Sequence, residues 1–176
     1  MTPLKGHNIL LRVLESSDLD FLENIENDPS LWEVSGTLKP FSRDILKNYL
    51  SHAQQDIYEA KQLRLVIYSL KTNESVGFID LFDFEPQHKR AGIGIVIDKK
   101  YRGKGFAKEA LKTLINFGFK TLKLHQLYAN ILEDNAISLQ LFKNQGFKIV
   151  GLKKDWNYYK NNFKNEWLLQ LINTHV

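Results

Sequence analysis

The stretch Ile93-Gly94-Ile95-Val96-Ile97-Asp98-Lys99-Lys100-Tyr101-Arg102-Gly103-Lys104-Gly105-Phe106-Ala107-Lys108-Glu109-Ala110 decides how this chain is read. A β-rich apolar run, a basic glycine-containing turn and a helical pattern follow one another, which predicts a strand, a loop and a helix. Gly103 and Gly105 remove side chains where several backbone N–H groups can converge on one anion, at the positive end of the helix dipole. Arg102, Lys104 and Lys108 add full charges at the same place. An ordinary strand-to-helix turn with solvated lysines would use the same residue types.

The usual nucleotide loop, Gly-x-x-x-x-Gly-Lys-Ser/Thr, is absent, and Gly103-Lys104-Gly105 lacks the third glycine of the dinucleotide fingerprint. A different pyrophosphate ligand is therefore expected. The run from Arg102 to Ala107, Arg-Gly-Lys-Gly-Phe-Ala, resembles the Arg/Gln-x-x-Gly-x-Gly/Ala signature by which the GNAT superfamily of N-acetyltransferases holds the pyrophosphate of acetyl-CoA.

Bulk composition sets the frame around that loop. With 176 residues, 43% of them hydrophobic and 12% aromatic, the chain can build one domain with a proper core, and a single domain over residues 1–176 is expected. The net charge is +4, with lysines and carboxylates interspersed, which gives little support to a nucleic-acid partner. Without cysteine, neither a disulfide framework, a thiolate zinc site nor protein thiol catalysis is available, and no metal is expected. No run approaches membrane-spanning length and Ile9-Leu10-Leu11 is too short for a signal peptide, so a cytoplasmic protein without a membrane partner is expected.

Taken in order, Asn8 to Val13 predicts a strand. Ser16-Ser17-Asp18 offers a cap for a helix with Leu19, Leu22 and Ile25 on one face, ending before Pro29. Ser30 to Pro40 lacks a period and reads as a loop that could wall a substrate pocket, before a helix capped by Ser42 and running to about Tyr58. Leu63 to Leu70 and Val76 to Phe84 form a hairpin, the second strand carrying two carboxylates. Alternation places Asp80 with Phe78, Phe82 and Phe84, and Asp83 on the opposite face with Ile79 and Leu81. After the opening stretch, Ala107, Leu111, Leu114, Gly118 and Leu122 line a helix face. Gln126 to Leu132 is a strand, Asn135 to about Gln145 a helix stopped by Gly146, and Phe147 opens a final strand pair that turns at Asn161-Asn162 and ends near Ile172.

The order βααβββαβαββ predicts a mixed α/β (α+β) sheet, with a parallel, right-handed crossing from Ile93 to Leu132. It is also the GNAT order, and the resemblance extends over Val-Gly-Phe-Ile-Asp from Val76, Arg-Ala-Gly-Ile-Gly from Arg90, the Arg102 loop, and Asn135 to Phe147. It implies a mostly antiparallel seven-stranded sheet with a central, splayed parallel pair and about four helices. The chain looks most like the spermidine/diamine and ribosomal-protein-alanine acetyltransferase branches, judged from His88-Lys89-Arg90-Ala91, Tyr101 to Ala107 and Leu141-Phe142-x-x-x-Gly146-Phe147.

The resemblance implies that a neutral amine attacks the thioester of acetyl-CoA held in the gap between the splayed strands. Ile95, Val96 and Ile97 would hydrogen-bond the pantetheine through their backbone, Arg102, Gly103, Lys104, Gly105, Phe106, Ala107 and Lys108 would bind the pyrophosphate, Asn130 and Asn135 would contact the pantetheine, and Phe142 would lie beside the sulfur. Many members carry a tyrosine at Phe142 as proton donor to the thiolate and a glutamate at Gly92 for the acceptor amine. An alkylamine with a pKa of roughly 10.4 must lose a proton before attack, and Asp80 and Asp83 are the first candidate bases, with Glu33 and His88 as further substitutes. Each strand carboxylate could equally be paired with a basic residue or face solvent. Trp156, Tyr158, Tyr159, Phe163 and Trp167 could help form an acceptor pocket, with Tyr158 or Tyr159 a replacement acid, or could serve packing.

The acceptor expected on this reading is a polyamine-like small molecule or a protein N-terminus, and homodimers are common among the proteins it resembles. Phe142 and Gly92 together motivate the alternative of a non-catalytic acyl-CoA-binding or regulatory module.

Overall fold

Residues 1–174 are described by the computed structural model. Strands Leu4–Lys5 (β1), Ile9–Val13 (β2), Leu63–Ser69 (β3), Glu74–Glu85 (β4), Arg90–Ile97 (β5), Gln126–Leu132 (β6), Lys148–Tyr159 (β7) and Asn162–Ile172 (β8) form one sheet in the order β1-β2-β3-β4-β5-β6-β8-β7. All neighbours are antiparallel except β5 and β6. The helices are Leu19–Glu26 (α1), Trp32–Ser35 (α2), Arg43–His52 (α3), Ile57–Ala60 (α4), Phe106–Lys120 (α5) and Ala136–Asn144 (α6). None of the described helices is long and apolar enough to cross a membrane.

Among the described residues the fold thus has eight strands where seven were expected, and six α-helices where about four were. β1 is a two-residue strand held by the Leu4↔Leu11 and Lys5↔Leu10 pairs, too short to leave an alternation in sequence. The single turn α2 interrupts the expected 30–40 loop and ends on Gly36 at φ +70°. The helix expected to reach Tyr58 stops at His52. Asp56 starts a separate turn there, its side chain accepting from the Tyr58 N–H at 2.7 Å.

Two apolar layers sandwich the sheet. On one face, Leu22 and Ile25 of α1 and Leu46 and Leu50 of α3 pack on Val66 and Phe78. On the other, Ala110, Leu111 and Leu114 of α5 and Phe142 of α6 join Ile79, Leu81, Ile93, Leu127 and Leu169. Fully burying each Leu, Ile or Phe contributes about 1.5–3 kcal/mol, so these layers dominate the stability.

Phe84 corrects the expected parity of β4. Phe82 pairs with Gly92 and Glu85 with Arg90, so Asp83 and Phe84 together oppose the single residue Ala91. This is a β-bulge, with Asp83 at φ +46°. It returns Phe84 to the α5 side with Ile79 and Leu81, where it is 1% exposed, and turns Asp83 toward Tyr128, whose ring packs on Phe82. The final turn is also displaced by one residue: Tyr159 pairs with Asn162, leaving Lys160 and Asn161, both at positive φ, as the connection.

A buried ion pair joins the first strand–helix unit. Arg12 donates to both oxygens of Asp18, at 2.7 and 2.8 Å, and the Glu15 N–H donates to the same carboxylate at 2.8 Å. Burial opposes ionisation of Asp18, but Arg12 and the Glu15 N–H outweigh it and hold the carboxyl below its ordinary value. A depressed folded pKa contributes stability above the unfolded value of about 4 and loses it as pH falls through the folded value. Asp18→Asn is therefore expected to cost about 2 kcal/mol at pH 7, with the deficit shrinking as the pH is lowered below about 4. Denaturant titrations of both proteins at pH 7 and pH 3 check this; an equal deficit at the two pH values would contradict it.

Candidate active site

The site begins where β5 and β6 part. They pair only at Arg90↔Gln126, Ala91↔Leu127 and Gly92↔Tyr128, after which no ladder joins them. β5 stays fully paired with β4 through Ile97, so its β6-facing backbone groups beyond Gly92 lack strand partners. A cavity of about 90 Å³ occupies the opening, lined by Gly94 and Ile95 from β5, Asn130 from β6, Asn135, Ser138 and Phe142 around α6, and other residues including Glu33 and Glu166.

The basic loop closes the far end of β5. Asp98 accepts from the Lys100 N–H at 3.1 Å, and the Arg102 side chain donates to the Ile97 carbonyl at 3.0 Å, fastening the loop to the strand. Gly103 and Gly105 stand at φ +74° and +86°, which places Gly105 as the N-cap of α5, and no side chain caps that helix. Arg102, Lys104 and Lys108 are exposed around it. The uncapped helix N-terminus, the surrounding cations and the unpaired edge of β5 fit a ligand with a pyrophosphate and an extended amide arm, which is the build of CoA.

Of the residues expected at the site, Ile95, Asn130, Asn135 and Phe142 meet at the one cavity. Val96 faces Phe78 and the α1 and α3 layer instead, leaving only its backbone for the cleft. Asn135 caps α6, its side chain accepting from the Ser138 N–H at 3.2 Å. Phe142 is buried edge-on against Phe147, with ring centroids 5.1 Å apart. Ser138, Asn157 and Glu166 were not anticipated. Ser138 could have been found from its position one helical turn before Phe142, whereas the other two depend on strand register.

The carboxylates differ in their partners. Asp80 is held by Arg64 at 2.6 Å, and the same guanidinium bonds Glu26 of α1 at 2.5 Å and lies 5.4 Å over the Phe78 ring. Burial works against the charge of Arg64, but Asp80, then Tyr49 and Glu26, hold its pKa above the ordinary value. Glu33 is paired with Lys164 at 2.5 Å, Lys164 also reaches Asp134 at 2.6 Å, and Glu166 is paired with Lys153 at 2.6 Å. Asp134 and then Glu33 raise the pKa of the Lys164 ammonium. Asp83 accepts from the Tyr128 hydroxyl at 3.2 Å. His88 is exposed on the β4–β5 turn, and Tyr158 and Phe163 stack at the exposed tip of the β7–β8 hairpin, outside the cavity.

A family model described as an acetyltransferase (GNAT) domain matches residues 8–148. The chain belongs to the GNAT acetyltransferase family. Family membership makes it an acetyl-CoA-dependent N-acetyltransferase. Among curated relatives, it is 27% identical to the spermidine N(1)-acetyltransferase of Escherichia coli K12 over 83% of this chain and 76% of that protein. It is 28% identical to the uncharacterized N-acetyltransferase p20 of Bacillus licheniformis over 98% and 97%. Its fold matches that of Vibrio cholerae spermidine N-acetyltransferase in complex with CoA and spermine, with a TM-score of 0.85 at 23% identity over 94% of this chain and 95% of that one. A probable acetyltransferase shares the fold with a TM-score of 0.86 at 22% identity over 98% and 97%.

The departure from the GNAT pattern at Gly92 has a steric basis. A Cβ there would lie 2.2 Å from Cε2 of Phe82, whose ring is held edge-on to Tyr128 at 5.7 Å. At Gly94 the same ring is 3.8 Å away, an ordinary contact. Gly92→Ala is expected to cost about 1–3 kcal/mol through overpacking, a Tm drop of several degrees, with Gly94→Ala close to the parent. Thermal denaturation of the two variants side by side checks this, and equal Tm values would remove the steric account.

Proposed function

We propose that this GNAT protein transfers the acetyl group of acetyl-CoA to a primary amine, either of a polyamine-like small molecule or of a protein N-terminus, by direct attack in a ternary complex. The observation that carries the reading is the opening between β5 and β6, with the uncapped N-terminus of α5 at its end. Gly103 to Lys108, with Arg102, hold the pyrophosphate through backbone N–H groups and side-chain charge. The unpaired edge of β5 from Ile95 to Ile97 takes the pantetheine amides as a strand would, assisted by Asn130 and Asn135, and a β5 N–H stabilises the thioester oxygen as charge develops.

Phe142 supplies no proton, so the thiolate leaves without a protein acid at this position. A thiol pKa of roughly 8.5 makes that departure feasible with solvation alone. The two acceptor classes place different demands on the cleft. A polyamine must displace Lys153 and Lys164 from Glu166 and Glu33 to use those carboxylates, whereas a peptide N-terminus brings a single ammonium. The spermidine acetyltransferase relatives favour the polyamine.

The buried, hydroxyl-free Phe142 also favours a second reading, an acyl-CoA-binding module without turnover. Free-thiol release from acetyl-CoA, with polyamines and short peptides offered in parallel, separates the two: turnover with one of them is expected, and CoA binding by calorimetry without any turnover would support the module. Phe142→Tyr is expected to raise kcat by about 10-fold or more if proton donation limits the rate. A Phe142→Tyr protein no faster than the parent would exclude the missing hydroxyl as the limiting feature.

A further inference from the structure

The acetyltransfer reading leaves open how the acceptor ammonium loses its proton, and the ion pairs around the cleft narrow the choice. Asp80 is saturated by Arg64, Glu33 and Asp134 share Lys164, and Glu166 is taken by Lys153. Each of these carboxylates is occupied by a neighbouring cation, which an acceptor ammonium would have to displace to reach it. Asp83 differs: among the described residues it has no ion-pair partner, and the group that touches it is the neutral phenol of Tyr128.

The fold places this pair beside the cavity. Tyr128 stands in register with Gly92, at the last rung before β5 and β6 separate. By strand alternation it shares a face with Asn130, and Gly92 shares one with Gly94, and both of those neighbours line the cavity. Tyr128 therefore lies two residues, about 7 Å, from the cavity wall, and Asp83, next after Phe82 on β4, lies on the side of that rung away from Gly94. The bulge at Asp83 turns its carboxylate to the Tyr128 hydroxyl on this face, where the Phe82 ring lies over Gly92. The Tyr128 phenol is pushed up to about 12, by burial first and then by Asp83, so it stays protonated and donates to Asp83, leaving its oxygen lone pairs for an incoming ammonium. Arg90 on β5 and Glu85 on β4 are the other charged groups acting on Tyr128, with opposite effects.

The geometry points to Asp83 as the base that deprotonates the acceptor amine and to Tyr128 as the residue that positions both, an assignment that rests on the acetyltransfer reading. One ammonium N–H points toward the Tyr128 oxygen, and another gives its proton through a bridging water to the free oxygen of Asp83. The nitrogen lone pair then forms the C–N bond at the thioester carbonyl as the C–S bond breaks, and the sulfur leaves with the electron pair. A second N–H proton passes through water to the thiolate, giving amide and free thiol. Asp83 is exposed and returns its proton to solvent, so one proton is released per ammonium consumed.

Asp83→Asn and Tyr128→Phe keep the size of each side chain and the edge-on ring contact. Using the amine that the parent acetylates best, Asp83→Asn is expected to lower kcat at pH 7 at least 10-fold, with the loss recovering toward high pH as free amine accumulates and with KM for acetyl-CoA unchanged. Tyr128→Phe is expected to raise KM for the amine several-fold and to weaken amine binding to the protein in calorimetry without acetyl-CoA. In the Asp83→Asn background, Phe82→Ala with Gly92→Glu supplies a carboxylate from the adjacent rung and is expected to restore part of the rate. Asp83→Asn with the parent's kcat and pH profile would overturn the assignment while leaving acetyltransfer intact. A parent that acetylates no amine would overturn both, so the two failures are distinguishable.

Discussion

Three rungs of parallel pairing, Arg90 to Gly92 against Gln126 to Tyr128, hold the two halves of the sheet together, and their abrupt end creates the cleft. Parallel strands remain in register only while each backbone group finds a partner, so the parting of β5 and β6 leaves donors and acceptors that an extended ligand can satisfy. β4 on one side and β8 on the other are paired along the whole opening, which supports both walls although no ladder joins them. The α5 layer beneath, with Leu111 and Leu114 fully buried, ties the basic loop to the same frame. An interaction surface is thereby obtained from main-chain geometry, with little dependence on side-chain identity.

Electrostatics organise the opposite face of the sheet. Arg64 links Asp80 on β4 to Glu26 at the end of α1, and Arg12 links β2 to Asp18 at the start of the same helix. The helix is therefore pinned at both ends by guanidinium groups that rise from the sheet. Glu26 sits where the helix dipole is negative, an unfavourable place for an anion that the Arg64 contact offsets. Around the mouth of the cleft, Lys164 spans α2 and the β6–α6 turn through Glu33 and Asp134.

The Arg102 to Ala107 loop, the α5 face and the α6 helix from Asn135 to its stop at Gly146 were legible because each depends on local chemistry: glycine at positive φ and a 3.6-residue period. Features set by cross-strand register were not. The αL conformation of Asp83 shifted Phe84 by one face, and a single extra residue suffices to reverse an alternation. Glu166 and Asn157 enter the cavity only through the β7–β8 pairing, whose two register shifts have no sequence marker of their own. Gly92 was legible as a departure, but its cause, the Phe82 ring, required the strand partner to be known. The short elements β1, α2 and α4 fall below the length at which periodicity carries information.

The insertion of β8 between β6 and β7 has a consequence for how the molecule assembles. β7 reaches the sheet only through β8, and β8 docks on β6 through pairs as distant in sequence as Gln126 and Ile172. Such non-local closure is slow compared with the β3–β4 and β4–β5 hairpins, which form between neighbours in sequence. The half of the molecule from β2 to β5 can thus gain its hairpins before the outer wall exists, and until the β7–β8 hairpin arrives, the far edge of β6 remains an open strand able to pair with other chains. The two-residue connection at Lys160-Asn161, already biased to the left-handed region, shortens that interval by letting β7 and β8 meet as a preformed unit.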